Sequence, residues 1–341
     1  MIRSIVTAAG VIGMLVGGTT AAASSVSVHD VPGTIELTAV GCETASTCVA
    51  VGAGPTTPTD GTVVTIHNGV PEAVKSVAST GSLLAVSCWT ATRCVAVGPS
   101  PSGAAGVVLQ ITAGVPGTAV QIPAASLFLG VACLPSPSTT CYAVGTNASR
   151  TKGIALAIHN GVPGATTLVS GSFELDMIAC PALTTCVAAG GTASNHGVIV
   201  TLNNGRPVGL SNVPGTGELG GIGCTSSNTC YAVGGEFDST TGQSEVVTVS
   251  GGIAGTVRGF AAGSLAHIVC VFGGKCLASG YTNGGPPEGL EATITSGKPG
   301  TAVPVSGTEN LGRGACVSSG LCEIGGETTH VTLGLVAESP V

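Results

Sequence analysis

The stretch CETASTCVAVG, residues 42–52, decides the fold because its pattern recurs throughout the chain. Two cysteines enclose a short loop, a β-type run follows, and a glycine stands four residues after the second cysteine. The pattern occurs seven times, with the first cysteines 44 to 47 residues apart. A repeat of this length is typical of the four-stranded blades of a β-propeller. The cysteine pairs are Cys42/Cys48, Cys88/Cys94, Cys133/Cys141, Cys180/Cys186, Cys224/Cys230, Cys270/Cys276 and Cys316/Cys322.

Each repeat contains four strand signals, which we name A to D. Strand A ends at the first cysteine, strand B starts at the second, and strand C is a β-rich run such as Thr62–Ile66. A turn such as His67–Pro71 follows, whose Asn-Gly pair favours a tight hairpin, and strand D comes next. We predict an all-β fold, a seven-bladed β-propeller of four-stranded blades over residues 24–341. Repeats 1 to 7 start near Glu36, Ser82, Leu127, Glu174, Glu218, Ser264 and Asn310.

The two ends of the chain predict how the ring closes. Repeat 7 has a strand C over Thr329–Val336 and then no room for a strand D. Ser24–Val31 has strand character and precedes the first repeat, so it can supply the missing outer strand. Closure of this kind removes the exposed sheet edge that an open ring would leave. The competing architecture is a solenoid, which needs capping ends that neither terminus resembles.

Composition and charge narrow the class of protein. Apolar residues make up 43% of the chain, charged residues 8% and aromatic residues 3%, and there are 55 glycines. This mixture is typical of short strands and tight turns. The formal net charge is −7, and no basic stripe or Lys/Arg cluster is present, which argues against binding to nucleic acid or anionic membranes.

The N-terminus, residues 1–23, has the pattern of a signal peptide. Arg3 precedes an apolar run, Ile5–Gly18, and Ala21–Ala23 forms a small-residue cleavage site. The alternative is an uncleaved anchor, although the run is shorter than the roughly 20 residues that span a bilayer. We therefore expect a secreted or cell-surface protein with no membrane span in the mature chain, and we expect it to be a monomer.

The paired cysteines predict seven disulfides, one within each repeat. Secretion favours oxidation, and two cysteines at the mouth of an A–B hairpin face each other at a separation that a disulfide accepts. Zinc sites use cysteine pairs that cooperate in fours, and pairs spread around a ring cannot meet.

The pattern Cys-x5-Cys-Val-Ala-Val-Gly, followed by a short strand and an Asn-Gly turn, carries a family resemblance. It resembles a repeat of secreted proteins from high-GC bacteria that are described as sialidase-like (Asp-box, or BNR) propellers of unknown function. The resemblance covers residues 24–341. The Ser-x-Asp-x-Gly-x-Thr-Trp turn of the enzymes is absent, and Ile66–Pro71 is the equivalent turn here. The resemblance therefore implies fold and secretion, and not sialidase chemistry.

Strand alternation assigns the loops to two faces. The A–B and C–D turns share one face, which carries the disulfides and which we name the disulfide face. The B–C and D–A loops share the other, which we name the variable face. The B–C loops differ between repeats, and variable loops on a rigid scaffold are common sites of function. They include Pro55–Asp60, Asn147–Lys152, Thr192–His196, Glu236–Gln243 and Tyr281–Glu288.

Strand A predicts a second candidate site, at the mouth of the central channel. Six residues before the first cysteine, Glu36, Glu174 and Glu218 occupy one repeat-aligned position, and Asp176 is close to Glu174. We expect Glu174, Asp176 and Glu218 to converge, as candidate ligands of Ca²⁺ or of a cationic group. The alternative is that they are solvated strand ends. His267 and Arg313 lie deeper in the channel, and Tyr281 is the one aromatic residue placed to contact a ligand.

The function classes follow from these candidates. A sialidase needs three arginines around the substrate carboxylate and a Tyr-Glu pair, and the few arginines here are scattered. We predict a non-enzymatic extracellular propeller, without a cofactor unless Ca²⁺ binds, that presents variable loops to a protein or cell-surface ligand. The alternatives are a glycan-acting hydrolase or lyase with its site at the channel mouth, and a structural envelope component.

Overall fold

The structure is a computed structural model whose description starts at Val26. The residues it describes are 26–340 without 45, 56–59, 236–242, 261–262, 284–285, 317–319 and 329–333. The predicted signal peptide, residues 1–23, and most of the loops Pro55–Asp60 and Glu236–Gln243 lie outside the described residues. No helix in the described part of the chain is long and apolar enough to cross a membrane.

The assigned elements are all β-strands, which confirms the all-β prediction. Before repeat 1 comes β1 (Ser27–Val31). Repeats 1 and 2 contain β2 (Glu36–Thr44), β3 (Thr47–Ala53), β4 (Gly61–His67), β5 (Val70–Val77), β6 (Ala85–Thr90), β7 (Arg93–Pro99), β8 (Gly106–Thr112), β9 (Val115–Pro116) and β10 (Val120–Ile122). Repeats 3 and 4 contain β11 (Ala125–Cys133), β12 (Thr140–Asn147), β13 (Gly153–His159), β14 (Val162–Val169), β15 (Glu174–Ala179), β16 (Thr185–Gly191), β17 (Gly197–Asn203) and β18 (Arg206–Val213). Repeats 5 to 7 contain β19 (Gly221–Cys224), β20 (Thr229–Gly235), β21 (Ser244–Ser250), β22 (Ile253–Phe260), β23 (Ser264–Cys270), β24 (Cys276–Tyr281), β25 (Gly289–Thr295), β26 (Lys298–Pro299), β27 (Val303–Val305), β28 (Thr308–Cys316), β29 (Leu321–Thr328) and β30 (Gly334–Pro340).

Each repeat forms an antiparallel sheet in the chain order A-B-C-D. Repeat 7 contributes three strands, and β1 pairs antiparallel with β30, from Ser27 opposite Glu338 to Val31 opposite Gly334. A single parallel pair, Ala39 with Arg313, links repeat 7 to repeat 1. Sequential four-stranded sheets of this kind confirm the β-propeller prediction.

The strand prediction differs from the structure in detail. Strand C of repeat 7 includes Gly334–Pro340 and so extends beyond the predicted end at Val336, while residues 329–333 of the predicted range lie outside the described residues. Strand A begins three residues later than expected in repeats 2 and 5, at Ala85 and Gly221.

The glycine four residues after the second cysteine has a steric role. A Cβ added to Gly190 would overlap the carbonyl oxygen of Glu174, and Gly52 and Gly234 stand against Glu36 and Glu218 in the same way. The cross-strand register of strands A and B shifts at this close contact. In repeat 4 the shift forms a β-bulge in β15, between Leu175 and Met177. A bulge re-aims the residue within it.

The Asn-Gly turns are needed for close approach between repeats as well as for backbone conformation. Asn204 and Gly205 have φ of 47° and 75°. A Cβ on Gly205 would also overlap the ring of Tyr142 in the preceding repeat. Equivalent glycines meet strand C or B of the preceding repeat, which fixes the spacing between neighbouring sheets.

The hydrophobic core is divided among the interfaces between successive repeats. Phe128 of repeat 3, for example, is fully buried in one cluster with Val97 and Val108 of repeat 2. A further cluster joins Val336 of repeat 7 to Leu37 of repeat 1. Burial of each such side chain contributes about 2 kcal/mol, so neighbouring repeats stabilise each other.

All seven predicted cysteine pairs form disulfides within their own repeats. The bridges are Cys42–Cys48, Cys88–Cys94, Cys133–Cys141, Cys180–Cys186, Cys224–Cys230, Cys270–Cys276 and Cys316–Cys322. In six repeats the two cysteines are directly opposite each other in the A–B pairing, as Cys224 is opposite Cys230. The framework predicted from the spacing is therefore confirmed.

The two cysteines of each bridge differ in burial. The first is only partly buried, but the second is at most 3% exposed and belongs to one of the clusters between repeats. The reason is that strand B runs through the middle of its sheet, where neighbouring repeats cover it. The buried cysteines are Cys48, Cys94, Cys141, Cys186, Cys230, Cys276 and Cys322.

The two hairpin turns of a repeat are also joined to each other. The Asn68 N–H, in the C–D turn, donates to the carbonyl oxygen of Ser46, in the A–B loop, at 2.9 Å. The disulfide face therefore contains both sets of turns, as predicted.

Candidate functional site

The channel mouth is formed by the first residues of the A strands, where the bulges occur. Glu174 opens β15, and its carbonyl is held against Gly190. Asp176 is the residue that the bulge in β15 leaves without a cross-strand partner. Glu218 precedes β19 in the neighbouring repeat, and its carbonyl faces Gly234. The fold thus places Asp176 in the bulge of β15, and Glu174 and Glu218 at the rim of the channel mouth.

Three of these side chains converge. Glu174, Asp176 and Glu218 each offer a carboxylate oxygen, and the three oxygens lie within 4.8 Å of one another. We name these residues the acidic cluster. Because the three carboxylates lie this close together, their negative charges repel one another when no cation is bound.

Burial and mutual repulsion disturb the titration of the acidic cluster. Burial, together with its contacts to Glu218, raises the pKa of Glu174 to about 7. Burial and the charge of Asp176 raise the pKa of Glu218 to about 7. Burial raises the pKa of Asp176 to about 6, against the opposing effects of a hydrogen bond to Glu218 and the Arg313 charge. The cluster is therefore poised to lose or gain protons near neutral pH.

Arg313 crosses the channel and is held by the backbone of three other repeats. Its Nη1 donates to the carbonyl oxygens of Leu84, at 2.8 Å, and Leu129, while Nη2 donates to the carbonyl oxygen of Asp176 at 3.2 Å. The guanidinium connects repeat 7 to repeats 2, 3 and 4. These donors are engaged by the channel wall, so Arg313 acts as a cross-brace in this structure.

His267 is enclosed beside Arg313. Burial, and then the nearby Arg313 charge, lower the pKa of His267 to about 3, so the imidazole is neutral at physiological pH. Its Nδ1 is sealed from solvent without a hydrogen-bond partner among the described residues. His267 is thus a neutral side chain enclosed beside Arg313.

Glu36 and Tyr281 lie apart from the acidic cluster. Glu36 lines a separate cavity of about 190 Å³ with Asn310, Arg313 and Glu327, and its Oε1 accepts a hydrogen bond from Ser82 Oγ at 3.3 Å. Tyr281 is 41% exposed at the end of β24. The structure thus brings together three of the predicted site residues and separates these two from them.

Glu327 is a mouth residue that the sequence analysis missed. It follows the strand-B glycine of repeat 7 and lines the same cavity as Glu36. Burial, with the charges of Glu309 and Glu36, raises the pKa of Glu327. Alignment of the residue after this glycine across the repeats would have identified it, because the other repeats have no carboxylate there.

Five loops of the variable face share the same backbone hydrogen bond at their base. The N–H of the first residue donates to the carbonyl oxygen of the last, at 2.7 to 2.9 Å, and closes the base of the loop. The pairs are Gly54/Asp60, Ser100/Ala105, Asn147/Lys152, Thr192/His196 and Thr282/Glu288. Side chains reinforce the bases: Asn147 Oδ1 accepts from the N–H groups of Thr151 and Lys152 at 2.9 and 3.0 Å. The loop bases are uniform, whereas the sequences between them differ, and the tips of the three fully described loops, at 100–105, 147–152 and 192–196, are largely exposed.

Comparisons with known proteins support the fold. No known family profile matches the chain, and no curated protein matches it in sequence. Among solved structures, it is similar to U3-55K, with a TM-score of 0.67 and 10% identity over 94% of this chain and 99% of that one. The WD40 repeats of RRP9 give a TM-score of 0.67 and 10% identity over 92% and 97% of the two chains. The WD40 domain of Pan2 from Neurospora crassa gives 0.61 and 11% over 89% of each chain. These likenesses show a β-propeller fold and do not single out the sialidase-like group.

Proposed function

We propose that this protein is a secreted β-propeller that binds a protein or cell-surface ligand through its variable face. The observation that carries this proposal is the common hydrogen-bonded base beneath five loops of different sequence. A fixed base with a variable tip limits the conformational entropy that ordering a loop costs on binding. Rigid scaffolds that present variable loops are a common arrangement in binding proteins.

The tips supply chemically distinct contacts around the acidic mouth. The loop Asn147–Lys152 presents the cations Arg150 and Lys152, both exposed. Arg150 reaches towards the loop Ser100–Ala105 of the preceding repeat, since a Cβ on Gly103 would lie 3.6 Å from its Nη2. The loop Thr192–His196 presents small polar side chains instead. A ligand that spans the face would therefore meet basic, polar and acidic surfaces in a fixed order.

The experiment compares two charge-matched double variants. Arg150→Ser with Lys152→Ser removes two cations from the variable face. Arg206→Ser with Lys298→Ser removes the same two residue types from exposed C–D turns on the disulfide face. Each tagged protein is incubated with intact cells, crosslinked and recovered. We expect partners captured by the parent to be lost with the first variant and kept with the second. Equal capture by both variants would contradict the proposal.

Secretion is part of the proposal and has separate support. Seven disulfides within one chain are typical of an oxidising compartment. Fractionation with mass spectrometry tests it: the culture medium or cell surface should contain a chain that begins near Ser24. A cytoplasmic chain that retains residues 1–23 would contradict secretion.

We favour binding over catalysis because of how Arg313 is engaged. A carboxylate pair with an arginine in reach is the arrangement that a glycan-acting enzyme would need, and carboxyl pKa values near 7 suit a general acid. Here, however, the Arg313 guanidinium donates to carbonyls of the channel wall. We expect no turnover of aryl glycosides or sialosides by the purified protein, and turnover that an Asp176→Asn variant abolishes would establish the enzyme instead.

A further inference from the structure

The acidic cluster contains two buried carboxylate oxygens that lack a hydrogen-bond partner among the described residues. These are Asp176 Oδ2 and Glu218 Oε1, both sealed from solvent. The protein encloses the Asp176 carboxylate almost completely. A buried oxygen without a donor costs free energy unless a proton or a cation satisfies it. Both oxygens belong to residues that converge at one point.

A glycine stands against the Glu218 carboxylate. A Cβ on Gly191 would lie 3.1 Å from Glu218 Oε1 and 3.3 Å from its carboxyl carbon. Gly191 is the last residue of β16, directly opposite Glu174 in the cross-strand pairing. The strand thus lacks a side chain at the position where one would press on the Glu218 carboxylate.

The charge of the cluster suits a divalent cation. When ionised, the three carboxylates carry three negative charges, of which the neighbouring Arg313 guanidinium offsets one. Oxygen-only ligands select hard cations over soft ones. Calcium–oxygen distances are about 2.4 Å, so opposite ligands of one Ca²⁺ ion are about 4.8 Å apart, whereas Mg²⁺ needs a tighter octahedron. The three oxygens lie within this distance of one another, so one Ca²⁺ ion can reach all of them.

We propose that Glu174, Asp176 and Glu218 form a calcium site at the channel mouth, which ties repeat 4 to repeat 5. The sealed oxygens of Asp176 and Glu218 are direct ligands, Glu174 is the third, and water from the channel completes the shell. This site is independent of the ligand proposed for the variable face.

The chain offers a matched control for the test. Glu36 occupies the same repeat-aligned position as Glu174 and Glu218 but lies outside the acidic cluster. The parent, Glu36→Gln and the double variant Asp176→Asn, Glu218→Gln are each titrated with CaCl₂ in a calorimeter. Thermal unfolding with and without CaCl₂ is followed by circular dichroism, which also shows whether each variant is folded.

We expect the parent and Glu36→Gln to bind one Ca²⁺ with a dissociation constant on the order of 10⁻⁴ M. Both should unfold at a higher temperature with calcium. The double variant should be folded and should lose at least about tenfold in affinity together with the thermal shift. No heat at millimolar calcium in the parent, or equal affinity in the double variant, would overturn the site.

Discussion

Thr34 Oγ1 accepts a 3.1 Å hydrogen bond from the N–H of Gly334, 300 residues further along the chain, and donates to the carbonyl oxygen of Val31 at 2.7 Å. Thr80 makes the same two bonds within repeat 1. Its Oγ1 accepts from the Gly61 N–H at 3.0 Å and donates to the Val77 carbonyl oxygen at 2.9 Å. Thr34 therefore makes, between the two ends of the protein, the bonds that Thr80 makes within repeat 1. The sequence Val31–Thr34 is repeated as Val213–Thr216, at the end of strand D of repeat 4, which supports the prediction that β1 serves as an outer strand.

The first prediction is that β1 stabilises the closed ring. Deletion of residues 24–31 should expose the edge of β30 and cause association or aggregation, measured by light scattering and thermal unfolding. Thr34→Val should lower the free energy of unfolding by about 1–2 kcal/mol, as should the control Thr80→Val, because each leaves a buried N–H without an acceptor. A truncated chain as stable and monomeric as the parent would refute closure by this strand.

The second prediction concerns the Asn-Gly turns. Gly205→Ala should destabilise the protein by about 2–4 kcal/mol, since it adds backbone strain at a φ of 75° to overlap with the Tyr142 ring. The control is Gly215→Ala, at a φ of 87°, where nothing lies within 4 Å of the added Cβ. It should cost only about 1 kcal/mol in chemical denaturation. Equal losses would show that contact between repeats contributes nothing.

The third prediction is that Arg313 is a structural brace. Arg313→Met should lower the free energy of unfolding by about 3 kcal/mol, because three carbonyl oxygens lose their donor and Asp176 loses a compensating charge. Arg258→Met, at an exposed position in β22, is the control and should change stability by less than about 0.5 kcal/mol. If both variants unfold like the parent in denaturant titrations, the cross-brace has no energetic role.

The sequence predicted repeated features better than singular ones. Cysteine spacing and the strand-B glycine recur, so each copy supports the same strand assignment, and the alignment they define placed Glu174, Asp176 and Glu218 together. The cross-brace made by Arg313 could not be predicted in this way. It depends on how far the bulged A strands project into the channel, which is set by contacts between repeats and not by the local pattern. Glu327 was missed for a different reason, since only strand A was aligned.

The fourth prediction tests the disulfides. Thiol titration of the unfolded, unreduced protein should detect essentially no free cysteine, and peptide mapping should recover only bridges within repeats. Replacing Cys224 and Cys230 together with alanine should cost about 2 kcal/mol in the chain-entropy model, because the loop that the disulfide closes is short. A bridge between two repeats, or several free thiols, would contradict the framework.

The last prediction concerns two glutamates beside the closing strand. Glu323 and Glu338 are directly opposite each other on β29 and β30. Ser27 Oγ of β1 donates to Glu338 Oε2 at 3.2 Å, and the Gly69 turn of repeat 1 covers both carboxylates. Burial, and then the Glu338 charge, raise the pKa of Glu323 to about 7. The folded state therefore holds a proton that the unfolded chain releases at about pH 4.5, so this group makes the protein more stable as the pH falls from about 7 to 4.5.

Glu323→Gln should remove this dependence. Above pH 7 the variant should be more stable than the parent by about 1–2 kcal/mol, a value below the full shift because solvent screens a partly accessible pair. Near pH 4.5 the parent carries a neutral carboxyl that resembles the amide, so the two stabilities should converge. Glu72→Gln, at an exposed position in β5, is the control and should follow the parent at every pH. Urea denaturation between pH 4.5 and 8.5 measures all three proteins. A constant difference between parent and Glu323→Gln across this range would show that Glu323 does not titrate as the geometry requires.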